Sequence, residues 1–193
     1  MMERETPCVQ HSLQELLCLK VFSETFEVIT LDEFNKGITE WAESELIAGG
    51  ASDTMLILAS LNLEAIPDRI DVERYLRLYQ RENGIQDPHP HLSALVWLRR
   101  EIGYLINAES SREIEARLAF FTHYFLDYPP TAFARITHVI SDFYWELYNE
   151  AVPYFTSAAS GMSENAFIVY VRARLYPFYR ILNNPDWLRI LMG

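Results

Sequence analysis

The chain has little of what phosphate-binding and redox sites are built from. Seven glycines in 193 residues leave little material for loops that cradle phosphates, and neither G-x-G-x-x-G nor G-x-x-x-x-G-K-[ST] occurs. G-x-S-x-G, H-E-x-x-H and paired C-x-x-C motifs are missing too. The two cysteines, Cys8 and Cys18, would stand about 15 Å apart along a helix, too far for a disulfide. Reduced thiols in a cytoplasmic protein are therefore expected. No apolar run approaches the roughly 18–20 residues that span a bilayer. The opening "MMERETPC" lacks the basic and apolar regions of a secretory leader. None of the five histidines has glutamate three residues before it, which excludes the Glu-x-x-His pattern of di-iron bundles. Cys8 lies near His11 but among Glu3, Glu5 and Glu15, not in the electropositive setting a reactive thiolate needs. No catalytic residue, cofactor or metal is expected.

Positive charge is scarce at one end. Through Ile66, three basic residues stand against twelve acidic ones, a net of −9 out of a total of −11. Such a surface repels nucleic acid phosphates and anionic membranes and favours a basic protein partner. The arginines Arg74, Arg77 and Arg81 share one helix face, where the protein's own acids or water are the expected neighbours.

What is present reads as helices. Ser12 with Glu15, and Thr30 with Glu33, form capping-box patterns, and Gly49 and Gly50 end the second helix. "SDTMLILASLNL" has little polar face and is expected to be a buried helix. Phe22 to Leu31, with Val28, Ile29 and Thr30, has strand propensity; with no partner strand in view, a connector is expected. Pro67 and Asp68 introduce a helix that Gly84 closes, and "DPHPH" reads as a turn. Further helices are expected at about 91–107, 111–127, 130–150 and 163–182, with Asn184 and Pro185 opening a last one. Pro177 should kink or end its helix near Tyr176. The expected fold is all-α, about eight or nine helices in one domain, a bundle or stacked helix pairs.

The stretch "DFYWELYNE", residues 142–150, sets Asp142, Glu146 and Glu150 at four-residue spacing among four aromatic rings. At 100° per residue, Phe133, Ile136, Ile140, Phe143, Tyr144 and Leu147 fall on the core side and Arg135, His138, Asp142 and Glu146 on the water side. Trp145 sits at the border beside Asp142 and Glu146, where a large ring is not needed for folding and suits a protein interface. On the second helix, Phe34, Ile38 and Trp41 point inward, and Asp32, Lys36, Glu40 and Glu43 form an outer face. This acidic face is the first candidate for docking a basic partner.

Of the 26 aromatic residues, 18 lie between Phe120 and Trp187. Core packing accounts for most of them. A small-molecule pocket, in a binding protein or in an enzyme without a recognisable motif, is the alternative, with Tyr124, Tyr144, Tyr170 and Tyr176 as walls and His123, His138 and Asp142 as polar groups.

The segment "EWAESELIAGGASDTMLILASLNLEAIPDRIDVERYLRLYQRENGI", residues 40–85, resembles a pattern in small bacterial helical proteins, among them immunity proteins of toxin–immunity systems. In that pattern a Trp- and Glu-bearing helix ends at glycine, a short apolar helix follows, and an amphipathic helix ends at "GI". The resemblance implies a cytoplasmic helical binding protein without catalysis, and it carries over no functional residue. The acidic balance suits the basic toxins that such proteins neutralise.

Overall fold

The computed structural model describes residues 11–26, 31–50, 52–64, 66–123, 127–148 and 161–193. Among them lie nine α-helices and no strand: α1 Leu13–Phe26, α2 Leu31–Ile47, α3 Asp53–Ser60, α4 Arg69–Glu82, α5 Pro90–Asn107, α6 Ser111–His123, α7 Thr131–Tyr148, α8 Glu164–Leu182 and α9 Pro185–Leu191, with a 3₁₀ turn at Leu61–Leu63. The fold is all-α. No described helix is long and apolar enough to cross a membrane. The chain divides into two compact units, 1–93 and 94–193, with the boundary in the first turn of α5.

Local chemistry sets most helix ends. At α1 the Ser12 amide donates to Glu15 Oε2 and the Glu15 amide to Ser12 Oγ, both at 3.3 Å, the reciprocal capping box. Ser52, Asp68, Ser163 and Asn184 accept amide hydrogens at the starts of α3, α4, α8 and α9. Helices α2 and α4 end alike. Gly50 N–H donates to the Glu45 carbonyl at 2.8 Å and Gly49 N–H to that of Leu46 at 3.0 Å; Ile85 and Gly84 repeat the pattern onto Gln80 and Arg81. Gly49 and Gly84 have φ of 100° and 63°, the left-handed conformation this motif requires.

In the first unit, Leu16 and Leu17 of α1, Phe34, Ile38, Trp41 and Ala42 of α2, Met55 and Leu58 of α3, and Val72 and Leu76 of α4 form one core. A Cβ on Gly37 would come within 2.8 Å of Leu16 Cδ2, so α1 lies close against α2 where the side chain is missing. Thr54 donates to both carboxylate oxygens of Glu82, at 2.9 and 2.8 Å, which ties the start of α3 to the end of α4. In the second unit, the buried Trp97 of α5 lies 5.9–6.1 Å, centroid to centroid, from Phe120 and Phe121 of α6 and Phe133 of α7. Arg172 Nε donates to the Ile106 carbonyl at 2.7 Å and joins α8 to the end of α5.

Five sequence expectations need correction. Helix α1 continues through Phe22 to Phe26, because Phe22 is wholly buried and its ring packs at a tilt on that of Phe26 one turn later, 4.9 Å away. Tertiary packing there overrides β-propensity; residues 27–30, with the Thr30 cap, lie outside the described residues, as does Cys8. Helix α3 is not buried all round. It turns Thr54, Met55 and Leu58 inward and leaves Leu56 and Ile57 exposed. Pro90 belongs to α5 rather than to the turn before it, since proline is pre-set for the first helical position. Asp127, expected as the last residue of α6, stands outside that helix. Helix α8 does not end near Tyr176 but continues through Pro177 to Leu182, which leaves the kink as the form the expectation can take. The carbonyl that loses its partner belongs to Ala173, an exposed position where water can replace the bond.

Candidate functional site

The outer face of α2 exists because its inner face is committed. Phe34, Ile38, Trp41 and Ala42 pack into the core, which at 3.6 residues per turn leaves Lys36, Glu40 and Glu43 toward water. Glu43 is exposed and Glu40 half-buried, 3.7 Å from Lys36 Nζ. The side chain of Asp32 lies outside the described ones. The face has a neighbour that sequence reasoning missed. Asn62 of the 3₁₀ turn donates to Glu43 Oε2 at 2.6 Å, and its own oxygen accepts from the buried Thr39 hydroxyl at 3.1 Å. Glu43 is thereby held against the turn that ends in Leu63. Burial, with Glu45 as the lesser cause, raises the pKa of the Tyr79 hydroxyl, whose ring meets that of Trp41 at 5.4 Å.

On α7 Phe133, Ile140, Phe143 and Leu147 are buried and Arg135, His138, Asp142 and Glu146 exposed, as expected, while Ile136 and Tyr144 are only half-buried and Thr137 joins the buried side. Glu146 is occupied. It accepts from the Tyr170 hydroxyl at 2.8 Å and from Arg174 at 3.1 Å, while the Arg174 guanidinium lies 5.4 Å over the Phe143 ring. The bond to Glu146, more than desolvation, raises the Tyr170 pKa. Arg174 had no signal in the sequence, because its partner lies 28 positions away. Trp145 is 52% exposed and meets Tyr144 edge-on at 5.2 Å. Asp142 stays exposed on the same face.

The remaining pocket candidates are scattered in their roles. Tyr144 also packs on Tyr148, at 5.0 Å. Tyr176 is exposed, and His138 Nε2 stands 4.0 Å from Asp127. Tyr124 and the side chain of His123 lie outside the described part of the structure. No group of three His, Cys, Asp or Glu side chains among the described residues is placed to hold a metal. A shallow polar groove in the first unit is lined by Lys20, Glu24, Phe34, Asn35, Arg69 and Glu73; Lys20 is buried and bridges to Glu24 at 2.8 Å, so cations and carboxylates there offset one another.

One carboxylate outside these sets is tuned. Glu164, in the first turn of α8, accepts from the Ser111 amide at 2.6 Å and the Ser111 hydroxyl at 2.7 Å. These bonds, the backbone one first, hold its pKa below the ordinary carboxylate value. A lowered folded pKa adds stability above the unfolded pKa that is lost as pH falls through the folded one. In Ser111→Ala the Glu164 titration should move back up, as read by NMR pH titration; an unmoved curve would mean the hydroxyl contributes nothing. No protein-family model matches the sequence, and no curated protein or solved structure is significantly similar to it.

Proposed function

We propose that the chain is a non-catalytic protein-binding protein that takes a basic protein partner on the acidic face of its first unit. Its most concrete form is an immunity protein that neutralises a basic bacterial toxin. The observation that carries the reading is the outer face of α2, where Glu40 and Glu43 stand on a helix whose other side is fixed in the core. Carboxylates on the water side of a helix held in this way steer a basic partner at long range while adding little to the stability of the fold.

The partner would be recovered by affinity purification from the protein's own host, and association followed by stopped flow. The Glu40→Lys/Glu43→Lys variant should associate about tenfold more slowly at low salt with an unchanged circular dichroism spectrum. Wild-type association should weaken as salt rises, because the Debye length falls from about 10 Å at 0.1 M to about 3 Å at 1 M. An association rate unmoved by the charge reversal at low salt would reduce the face to a solvated surface. A gene for a large secreted effector next to this one would support the immunity form.

A further inference from the structure

We infer that the exposed aliphatic strip from α3 into the start of α4 is an anchor surface, and that its occupant is an amphipathic basic segment of a protein partner. The inference rests on the reading above and names the surface and the chemistry. Leu56, Leu63, Ile66 and Ile70 are 54%, 91%, 77% and 76% exposed. Thr54 bonded to Glu82 sets the start of α3 beside the end of α4, and a short connection joins the end of α3 to the start of α4. Leu63, Ile66 and Ile70 therefore lie within eight residues at the connected end of an antiparallel helix pair, and Leu56 lies further back on α3. Large aliphatic groups concentrated in this way on a water-facing surface mark an interaction site.

The charges around the strip select the occupant. Asn62, next to Leu63 in the chain, holds the Glu43 carboxylate at 2.6 Å, so the acidic face of α2 adjoins the strip. Glu64 and Asp68 lie within it in sequence and Asp71 directly after it, against the single cation Arg69. A second copy of the chain would bring carboxylates against carboxylates, and an anionic lipid surface would be repelled for the same reason. A segment with aliphatic side chains on one helix face and lysine or arginine on its flanks satisfies both parts.

Three labelled peptides serve as probes of the full chain by fluorescence anisotropy: an amphipathic helix of Leu and Lys, its Leu/Glu counterpart, and a Lys/Gln peptide with no apolar face. The Leu/Lys peptide should bind, the Leu/Glu peptide should not, and the Lys/Gln peptide should bind at least tenfold more weakly. Leu63→Ser/Ile66→Ser should weaken Leu/Lys binding about tenfold with an unchanged melting temperature, both side chains being exposed. Equal binding of the Leu/Lys and Lys/Gln peptides, or no effect of the serine pair, would overturn the anchor surface, while sensitivity to Glu40→Lys/Glu43→Lys would still uphold the acidic reading. If the serine pair weakens binding and that charge reversal does not, the anchor surface stands and the acidic reading of α2 fails. Sedimentation as a dimer that the serine pair abolishes, or pelleting with neutral vesicles, would assign the strip to another occupant and overturn the proposal.

Discussion

Trp97→Ala should remove about 3–5 kcal/mol of stability, the largest loss expected from a single substitution in the second unit. The indole is 2% exposed and its ring lies near three phenylalanine rings from two other helices, at 5.9, 6.1 and 6.1 Å. Truncation removes the transfer energy of a large side chain and leaves a cavity that three separately anchored helices cannot close by collapsing. Aromatic pairs add about 0.5–1.5 kcal/mol beyond the area they bury. Because a domain is stable by only about 5–15 kcal/mol, the variant should unfold at a much lower urea concentration by far-ultraviolet circular dichroism. Trp97→Leu, which refills part of the space, should lose clearly less. A loss below about 1 kcal/mol for the alanine variant would mean that α5, α6 and α7 can repack without the ring. The consequence reaches the surface as well, because Phe133 lies on the same helix as Trp145, and a loosened α7 would present that exposed ring less firmly.

The helices were legible because their ends carry local chemistry. Ser12 with Glu15, Asp68 after Pro67, Asn184 before Pro185, and glycine after α2 and α4 each satisfy backbone groups within a few residues. The inward stripes of α2 and α7 were legible for a related reason: one buried face at helical spacing is a property of the segment alone. The errors arose where a distant residue decides. Nothing near Phe22 in the chain says that it will be wholly buried. A helix as apolar as α3 was expected to be surrounded, yet its neighbours cover only Thr54, Met55 and Leu58, and the strip of exposed aliphatics was missed for that reason. On the acidic face, Glu40 and Glu43 were legible from spacing. Their link to the strip was not, since it runs through Asn62, 19 positions from Glu43. In the same way Glu146 was expected to be a free carboxylate of the α7 face, and Tyr170 and Arg174 hold it from α8.

Pro177→Ala should stabilise the second unit by about 1–3 kcal/mol, an unusual gain for one substitution. Proline inside a helix is about 3 kcal/mol less favourable than alanine, since it removes one intrahelical hydrogen bond and its ring presses on the carbonyl four residues earlier. That carbonyl belongs to Ala173, and both Ala173 and Pro177 are exposed, so alanine restores the bond without displacing buried atoms. Two effects keep the gain below the full figure. Water already solvates the freed carbonyl, and alanine gives the unfolded chain back some of the freedom that proline denies it. The helix persists through Pro177 because its two halves are held separately, by Phe167, Val171 and Leu175 before the proline and by Leu182 after it, all buried. Between them, Tyr179 reaches the bare backbone of Gly103 on α5, where an added Cβ would meet the ring at 3.3 Å. Thermal unfolding of Pro177→Ala beside wild type measures the sum. A higher midpoint with the tyrosine near-ultraviolet signal intact would show that packing on both sides holds α8 at a cost the proline imposes. A lower midpoint would show instead that the proline sets the path of the chain, and that the seat of Tyr179 on Gly103 depends on it.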